Sequence, residues 1–385
     1  MFLAGYDCIT AAGVGYENLL KSLYAGTDHS ILISENQWNR SIVPGGKVCL
    51  IPEYQGQKYL DRFSLYSQIV WKNLWNLLES SVKEKLIKKK ILVILSSTKG
   101  FIEDYIWEKN FSNIRLTINP YQKIVDQFIE NNKSHFNFVE SIVVSNACAS
   151  SHVAMQVAKN YFQHGDFESI VIIATDLIGP FIYNGFQSLK VLSQTKNRPF
   201  SANRDGLQLG EALAILVFQK NSTQSSGVYL KSVASDTEGG SVTKPSMDGT
   251  SLFRTLKQVV SNQDEVPDFS IAHGTGTVFN DLSESRALHS FSEKFDRKFP
   301  VTGIKWSIGH TLGASGALDI IVASEVLKSG KLFALANSDQ LDPKLLIGLV
   351  YAKEKVRKLD SVKSAIVTSL GFGGVHAAAR LERLS

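Results

Sequence analysis

The sequence predicts an α/β protein whose strands are largely parallel and buried on both faces. Short runs rich in β-branched residues alternate along the chain with longer segments of helical pattern. The strand runs are apolar almost throughout and lack the polar alternation of a strand that faces water on one side. They lie at Ile91–Ser96, Ser141–Val144, Ile170–Ala174 and Ala365–Thr368.

The two halves of the chain repeat a common pattern of elements. In the first half, a strand over Glu140–Val144 leads through a short turn into a helix over Ala149–Phe162. In the second half, a strand over Pro300–Ile304 leads through Lys305–His310 into a helix over Gly313–Ser329. Little residue identity accompanies this pattern, so it favours internal duplication but does not by itself establish it. In a duplicated chain both turns would open at the carboxyl ends of strands, where open α/β sheets place their sites.

The boundary between the halves is expected near the middle of the chain. The most linker-like stretch is Asn221–Gly227, which is rich in Ser, Gly and Asn. We therefore expect an N-terminal half over residues 1–220 and a C-terminal half over residues 221–385.

Composition and charge exclude several classes of protein. The 385 residues are 44% apolar with a net charge of +5, which suits a globular chain and gives no basic patch for nucleic acid. The mild basic bias would suit an acidic protein partner. No signal-peptide pattern is present and no stretch approaches ~18 uninterrupted apolar residues, so we expect no membrane span. Cys8, Cys49 and Cys148 fit neither a disulfide framework nor a metal site, which favours a reducing, cytoplasmic setting.

Cys148 is the first candidate for chemistry. It follows a β-run directly and stands at the start of a helix that begins Ala149-Ser150-Ser151. A lone cysteine is by default a small buried hydrophobe. At a helix N-terminus, however, unpaired N–H groups and the positive end of the helix dipole favour the thiolate. The small neighbours also leave room for an acyl thioester.

A glycine-containing turn follows the apolar run that ends at Ala272. In His273-Gly274-Thr275-Gly276-Thr277, the glycines let the backbone approach a ligand closely, and the two hydroxyls can bond an amide-bearing arm. The alternative is a histidine that caps a tight turn. Asn280 and Asp281 follow, and turn chemistry alone could explain them.

Two further segments carry unusual residues near glycines. Within Gly303–Gly316, Lys305 and His310 precede a helix whose first turn is nearly all small residues. Tight packing explains those glycines, but it does not explain a lysine and a histidine at a buried sheet end. In Ser369–Gly374, glycines flank Phe372, which suits a mobile gate, an exposed N–H donor or a plain loop.

Together these segments resemble the β-ketoacyl-acyl carrier protein synthases, the elongating ketosynthases of fatty acid and polyketide assembly in the thiolase-like superfamily. The resemblance rests on five motifs in a fixed order, and weaker similarity extends over essentially the whole chain. The motifs are SNACASS (145–151), RPFSANRDGLQLGEA (198–212), AHGTGTVFND (272–281), a lysine five residues before HTLGASGALD (310–319), and GFGG (371–374).

The resemblance implies a fold and an activity. The fold would be thiolase-like, with two pseudo-symmetric βαβαβαββ halves that form a five-layered α-β-α-β-α sandwich. The activity would be decarboxylative condensation of an enzyme-bound acyl chain with a malonyl group on an acyl carrier protein. No metal and no cofactor of its own would be needed, because the partner supplies phosphopantetheine. The chain would act as a homodimer, or as a heterodimer with a second ketosynthase-like subunit.

The resemblance also implies residue roles. Cys148 matches the nucleophile, and His273 and His310 match the pair that promotes decarboxylation, with Lys305 beside them. The backbone N–H groups of Cys148 and the gating Phe372 would form the oxyanion hole. The remaining matches are Thr275 and Thr277 for contacts to the pantetheine arm, with Asp319, Asn280 and Asp281 in supporting positions.

Several positions depart from the family pattern. Asp319 stands where elongating synthases usually carry Glu, which could lengthen a contact to Lys305. Val375-His376 replaces the usual Thr-Asn after GFGG, and His376 is expected to be structural or to line a partner-facing rim. Ser96–Gly100 replaces a Gly-rich turn near the dimer interface and the acyl pocket. Its Lys99 could alter the depth of that pocket, but a solvated loop lysine is the favoured expectation.

These departures favour a pathway-specific ketosynthase, of a type II polyketide or aryl polyene system, over a housekeeping fatty acid synthase. The strongest alternative is a chain-length factor, a ketosynthase-like partner subunit that does not condense. Such subunits usually lack the cysteine, which this chain retains at position 148. A coenzyme A thiolase is disfavoured because thiolases need a second cysteine near the C-terminus, and Cys148 is the last here.

Overall fold

A computed structural model describes residues 1–33, 46–52, 58–107, 119–222, 226–340, 342–350 and 354–384. The strands of the described residues are β1 (Phe2–Thr10), β2 (Gly13–Val14), β3 (Ile31–Leu32), β4 (Lys47–Cys49), β5 (Lys90–Ser96), β6 (Phe138–Val144), β7 (Ser169–Asp176), β8 (Leu209–Gly210), β9 (Ala212–Gln219), β10 (Gly227–Thr237), β11 (Phe269–Ile271), β12 (Pro300–Thr302), β13 (Lys331–Phe333), β14 (Gly348–Leu349), β15 (Val356–Lys358), β16 (Ser364–Gly371) and β17 (Val375–Leu384).

Helices fill most of the connections between these strands. They are α1 (Tyr16–Ala25), α2 (Tyr59–Leu77), α3 (Ser80–Lys88), α4 (Ile102–Trp107), α5 (Gln122–Asn131), α6 (Ser150–His164), α7 (Pro180–Ser188), α8 (Thr250–Val259), α9 (Val278–Lys294), α10 (Lys305–Ile308) and α11 (Ser315–Ser329), with 3₁₀ turns at Lys133–His135, Gln263–Glu265 and Leu312–Ala314. None of the helices in the described ranges is long and apolar enough to cross a membrane.

Strand order and direction repeat between the two halves. The first half has the order β6-β5-β7-β9-β1, in which β6, β5 and β7 are parallel and β9 is antiparallel to β7 and β1. The second half has the order β12-β11-β16-β17-β10 with the same directions, and β14 is added beyond β12. The halves join where β1 pairs with β10 at Phe2 and Tyr229. This repetition agrees with the predicted pseudo-symmetric halves. The boundary at residues 220 and 221 stays a prediction, and residues 223–225 lie outside the described residues.

The helices form layers on both sides of the strands. Helix α6 packs against β5, β6 and β7 and also against β10 and β17, while α11 packs against β16 and β17 and also against β1 and β9. These two helices therefore lie between the two halves of the sheet. On the outside, α2 and α5 cover the first half and α8 covers the second, with α9 packed on α8. The result is the α-β-α-β-α sandwich.

Burial on both faces explains the unbroken apolar strands. In β5, Ile91, Val93 and Leu95 face the core under α2, whereas Leu92 and Ile94 face the core shared with α6 and α11. Successive side chains of a strand point to opposite faces, so both sets must be apolar.

The predicted helix boundaries differ from the observed ones mainly at the two turns. The helix predicted from Ala149 begins at Ser150. The helix predicted from Gly313 begins two residues later, because Leu312–Ala314 form a 3₁₀ turn. Cys148 and His310 lie in the turns before these helices, as predicted, whereas Lys305, Asn280, Asp281 and Asp319 lie within helices.

Helices α6 and α11 touch closely at Gly316. A Cβ atom at this position would lie 2.5 Å from Nδ1 of His152 and 3.1 Å from Cβ of Ser151, both on α6. Real Cβ contacts are not that short, so only glycine permits the observed separation of the helices.

We therefore expect Gly316→Ala to lower the free energy of unfolding by about 1–3 kcal/mol, because the two helices must separate. Gly185→Ala is the matched control, since Gly185 is an exposed helical glycine with no atom within 4 Å of an added Cβ. The control should be neutral or stabilising by up to about 1 kcal/mol. Urea unfolding of both variants measures the difference, and equal stabilities would contradict the close packing.

Candidate active site

Cys148 lies in a tight turn between β6 and α6. Ala147, just before it, has φ = 45°, a left-handed conformation that is unfavourable for a residue with a Cβ. Two hydrogen bonds of Ser150 hold the turn: its hydroxyl donates to the Ala147 carbonyl at 2.6 Å and accepts from the Asn146 N–H at 2.8 Å. The equivalent turn in the second half also contains a left-handed residue, Leu312, with φ = 51°.

His310 contacts the sulfur of Cys148 from the second half. Its Nε2 lies 2.9 Å from Sγ of Cys148. The backbone of His310 is fixed on both sides, because its N–H donates to the Gln208 carbonyl at 2.7 Å and its carbonyl accepts from the Gly210 N–H at 3.0 Å. Gly309 allows this close approach, since it has φ = 71° and an added Cβ would lie 2.7 Å from the Leu209 carbonyl oxygen.

His273 stands beside His310. The ring centroids are 5.1 Å apart and the ring planes are nearly perpendicular at 88°. Glu284, in the second turn of α9, accepts from the N–H groups of His273 and Gly274, each at 2.8 Å, and also from the Thr368 hydroxyl. The carboxylate of Glu284 thus fixes the backbone of the histidine turn.

Lys305 and Asp319 form a buried pair next to the histidines. The ammonium of Lys305 lies 3.4 Å from Oδ2 of Asp319, and both side chains are almost fully buried. The distance is long for a charge-assisted hydrogen bond, as expected for the shorter acid at position 319. Burial raises the pKa of Asp319 to about 6, and the Lys305 charge opposes the rise.

Burial also sets the protonation of the reactive groups. It raises the pKa of the Cys148 thiol from 9.0 to about 12, although the Lys305 charge lowers it. Burial, followed by the charge of Lys305, holds the pKa of His310 well below 6.5. The pKa of His273 is lowered in the same way. Near neutral pH the free site therefore contains a thiol and two neutral imidazoles.

The N–H groups near Cys148 favour the thiolate as expected, but burial outweighs them in the free protein. Cys148 precedes the first helical residue by two positions, and only 7% of it is exposed to solvent. Loss of water around the sulfur outweighs the nearby N–H groups of Phe372 and Cys148, which lower the thiol pKa only in part.

Two cavities meet at Cys148. The outer cavity, about 380 Å³, is lined by His273, His310, Thr275, Thr277 and Asn280 among others. The cavity that neither histidine lines, about 460 Å³, is named the inner cavity, and it is lined by Cys148, Leu312, Lys99, Ile102, Tyr121 and Phe181 among others. Both cavities share Cys148, Phe186 and Phe372, and the two phenylalanine rings stack with centroids 5.5 Å apart.

The remaining predicted residues lie around the outer cavity. The hydroxyls of Thr275 and Thr277 are 3.0 Å apart. Asp281 is buried in the first turn of α9 and accepts from the N–H groups of Phe200 and Gly276 at 2.6 and 3.1 Å. Burial raises the pKa of Asp281 to about 7. Nδ2 of Asn280 has no hydrogen-bond partner within the described ranges.

Lys99 and His376 are both buried, which contradicts the favoured expectation for Lys99 and adds to the one for His376. Lys99 was expected in solvent but is 5% exposed and lies 3.5 Å from Glu103, because its loop folds inward beside the inner cavity. His376 is also buried, lines the outer cavity and lies 3.4 Å from Glu238.

Sequence reasoning missed two carboxylates that hold the site together. Glu284 lies one helical turn after Asp281 and so faces the same side of α9. Asp176, at the end of β7, accepts from the N–H groups of Thr98 and Gly313 and from the Ser97 hydroxyl. An acid at the carboxyl end of a buried strand was the available signal for Asp176. Among the residues with described positions, no group of three or more His, Cys, Asp or Glu could hold a metal ion.

Sequence comparison now gives the family. The N-terminal domain of the beta-ketoacyl synthases matches residues 55–224, and the C-terminal domain of the same family matches residues 228–339. The chain belongs to the beta-ketoacyl synthase family. The members of this family are acyl-transferring condensing enzymes.

Two curated relatives of this chain have names from fatty acid and polyketide synthesis. The chain is 29% identical over 256 residues to the chloroplastic 3-oxoacyl-[acyl-carrier-protein] synthase II of Arabidopsis thaliana. The aligned region covers 60% of this chain and 45% of the relative. The chain is also 28% identical over 256 residues to the tetracenomycin polyketide synthase ketoacyl synthase alpha subunit of Streptomyces glaucescens. That alignment covers 63% of this chain and 59% of the relative. The match thus spans about half of each relative's length.

Solved structures share the whole fold of this chain. One is the type II polyketide ketosynthase AntDE with its acyl carrier protein AntF, bound to the hexaketide, at a TM-score of 0.81 and 17% identity over 99% of this chain and 98% of that one. Another is the ketosynthase ApeO with its chain length factor ApeC from Xenorhabdus doucetiae, at a TM-score of 0.79 and 19% identity. This match covers 99% of this chain and 97% of that one. The predicted thiolase-like fold class is therefore confirmed.

The raised pKa of Cys148 predicts how its alkylation depends on pH. The rate of reaction with iodoacetamide should rise about tenfold per pH unit from pH 7 to pH 10, because only the thiolate reacts. It should show no plateau near the ordinary thiol pKa, since the Cys148 pKa is about 12. Lys305→Met should slow the reaction at every pH, because the Lys305 charge favours the thiolate.

Peptide mass spectrometry separates residue 148 from Cys8 and Cys49, which have no exposed surface. Free cysteine in the same buffers is the control, and its rate should level off above about pH 8.5. A plateau for Cys148 at or below that pH would contradict the raised pKa.

Proposed function

We propose that this chain is a β-ketoacyl-acyl carrier protein synthase that condenses a Cys148-bound acyl chain with malonyl-acyl carrier protein. The observation that carries the proposal is the 2.9 Å contact between Sγ of Cys148 and Nε2 of His310, with His273 beside them and two cavities meeting at the sulfur. A lone buried structural cysteine would need neither the paired histidines nor the cavities.

In the first step the acyl chain moves to the enzyme. The Cys148 thiol gives its proton to the neutral His310 as Sγ attacks the thioester carbonyl, since a thiol of pKa about 12 needs a base at hand. The N–H groups of Cys148 and Phe372 receive the charge that develops on the carbonyl oxygen. The C–S bond to the carrier then breaks, and the carrier's pantetheine leaves as a thiol after it takes the proton from His310.

In the second step malonyl-carrier loses CO2 and forms the new carbon–carbon bond. The electron pair of the broken C–C bond is taken up in an enolate, whose oxygen accepts hydrogen bonds from neutral His273 and from His310 in the tautomer that carries its proton on Nε2. The low pKa values of both imidazoles keep them neutral near pH 7, so His310 stays available as the base of the first step. The enolate carbon attacks the acyl-Cys148 carbonyl, and the cysteine sulfur leaves as a thiolate. One proton from solvent restores the thiol, because the condensation consumes one proton overall. Asp319 holds the ammonium of Lys305 in the site, and the Lys305 charge lowers the pKa values of Cys148, His273 and His310.

The substrates are proposed to arrive on an acyl carrier protein. A related ketosynthase structure contains such a carrier, and the net charge of +5 suits an acidic partner. Lys190 and Lys244 line the mouth of the outer cavity, where the carrier's phosphate would come close. Thr275 and Thr277, on the same cavity, offer hydroxyls for the pantetheine arm. Phosphopantetheine would belong to this partner, with no cofactor held by the chain itself.

The alternative is a chain-length-factor-type subunit that pairs with an active ketosynthase. Related structures contain such pairs, so a heterodimer fits the fold as well as a homodimer does. The retained Cys148–His310 contact favours the catalytic role, because a non-condensing subunit gains nothing from a nucleophile held against a base.

Acylation and decarboxylation should separate in variants of the site. Cys148→Ala should abolish acylation of the chain by an acyl-carrier donor, whereas His273→Ala should retain acylation within about threefold. The same His273→Ala variant should lower CO2 release from malonyl-carrier by at least about 100-fold, because it removes one enolate donor. Intact-protein mass spectrometry measures acylation, and labelled CO2 measures decarboxylation.

A second ketosynthase decides between the two roles. If the chain alone performs neither reaction, but both appear with an added ketosynthase and survive Cys148→Ala in this chain, the non-condensing role is correct. Unchanged thermal unfolding of each variant serves as the folding control.

A further inference from the structure

The inner cavity has few polar side chains that can still bind a ligand. The Thr98 hydroxyl donates to Asp176 at 2.8 Å, and the Tyr121 hydroxyl donates to the Thr98 carbonyl at 3.0 Å. Cys148 is the attachment point in the proposed function. Lys99 is the remaining polar side chain on this wall.

The ammonium of Lys99 is buried with its donors unused. Nζ has no hydrogen-bond partner in the part of the chain that the structure describes. Its nearest charge is Oε1 of Glu103 at 3.5 Å, and it also stands over the ring of Tyr59, 4.6 Å from the centroid. The Glu103 carboxylate is already occupied by the N–H groups of Phe181 and Ile182 at 3.3 and 3.2 Å.

A purely hydrocarbon acyl chain in this cavity would offer no hydrogen-bond acceptor to the ammonium of Lys99. Burying an ammonium without full hydrogen bonding is unfavourable, and a neighbouring alkyl chain excludes the water that could relieve it. An oxygen atom on the chain would accept a hydrogen bond. Lys99 lines the cavity, and a lysine side chain has rotatable bonds up to its ammonium group, so a change of rotamer would bring Nζ to such an oxygen.

The charges around Lys99 decide which oxygen fits. Glu103, Asp176 and Glu211 all act on the lysine as nearby acids. Arg62 pairs with Glu211, so the negative charge near the lysine comes chiefly from Glu103 and Asp176. A carboxylate on the acyl chain would be repelled by them and would also lose its own hydration. A keto or hydroxyl oxygen accepts the hydrogen bond without bringing a charge.

We propose that Lys99 selects acyl chains that carry a neutral oxygen, a keto or hydroxyl group, over plain alkyl chains and over chains that end in a carboxylate. The proposal rests on the proposed function, because it concerns the acyl group that Cys148 accepts. It makes Lys99 a specificity-determining residue of the inner cavity.

The test compares acylation rates of Cys148 by small N-acetylcysteamine thioesters, which need no carrier. The series consists of an octanoyl thioester, analogues with one keto or hydroxyl group at each carbon in turn, and an analogue with a terminal carboxylate. In the wild-type protein, at least one oxygenated analogue should react about tenfold faster than octanoyl, and the carboxylate should react slowest. Mass spectrometry of the peptide that contains residue 148 gives the rates.

Variants assign the preference to Lys99. Lys99→Met keeps the bulk of the stem and should reduce the preference to within about twofold, mainly by speeding the alkyl chain. The double variant Lys99→Met/Glu103→Gln avoids an unpaired buried carboxylate and keeps the test valid if the single variant does not fold. Lys190→Met is the matched control, because it removes a lysine from the outer cavity and should leave the preference intact.

The outcomes separate this proposal from the proposed function. If no N-acetylcysteamine thioester acylates Cys148, the same acyl chains are presented on an acyl carrier protein, and if these also leave Cys148 unmodified, both proposals are wrong. If Cys148 is acylated but octanoyl reacts as fast as every oxygenated analogue, or the preference survives in the double variant, only the role of Lys99 is wrong. A fastest reaction with the carboxylate would overturn the choice of a neutral oxygen.

Discussion

The separation of helices α6 and α11 in the middle layer determines how closely the turn of Cys148 approaches the turn of His310. Each helix begins directly after a turn of the site, one with Cys148 and the other with His310. Glycine at position 316 and small side chains at their contact allow the helices to approach closely. The hydroxyls of Ser96 and Ser151 both donate to the Gly313 carbonyl, which ties the second turn to the first half. The 2.9 Å distance between sulfur and imidazole follows from this packing.

The same packing removes water from the site, and this governs its electrostatics. A buried thiol and buried imidazoles resist charge, so their pKa values move in opposite directions, up for Cys148 and down for both histidines. Lys305 is the positive charge common to all three, and Asp319 accompanies it. Cys148 and both histidines are therefore uncharged in the free protein. Negative charge develops during the reaction, on the oxygen of the substrate carbonyl.

Much of the fold and site could be predicted because their signals are local. Apolar β-branched runs indicated the buried strands, and glycine-rich turns marked the places where Cys148, His273 and His310 lie. The family resemblance then supplied their order and their roles.

The features that could not be predicted from the sequence depend on neighbours that are distant in the chain. Glu284 and Asp176 support turns that are remote in sequence, and nothing in their local pattern states which N–H groups they will accept from. The direction of the Cys148 pKa was missed because a helix start can be recognised in a sequence, whereas the loss of water around a side chain cannot. Lys99 was assigned to solvent for the same reason.

The repeated strand order has a consequence for how the protein is made. Cys148 belongs to the half that leaves the ribosome first, whereas His310 and the N–H group of Phe372 come from the half that leaves last. An N-terminal half that folds early would hold its cysteine without a base and without a full oxyanion hole. The thiol thus becomes chemically competent only when the second half has docked and its last strands are paired. Chains that lack the second half would be spared premature acylation, so the divided site links activity to the docking of the two halves.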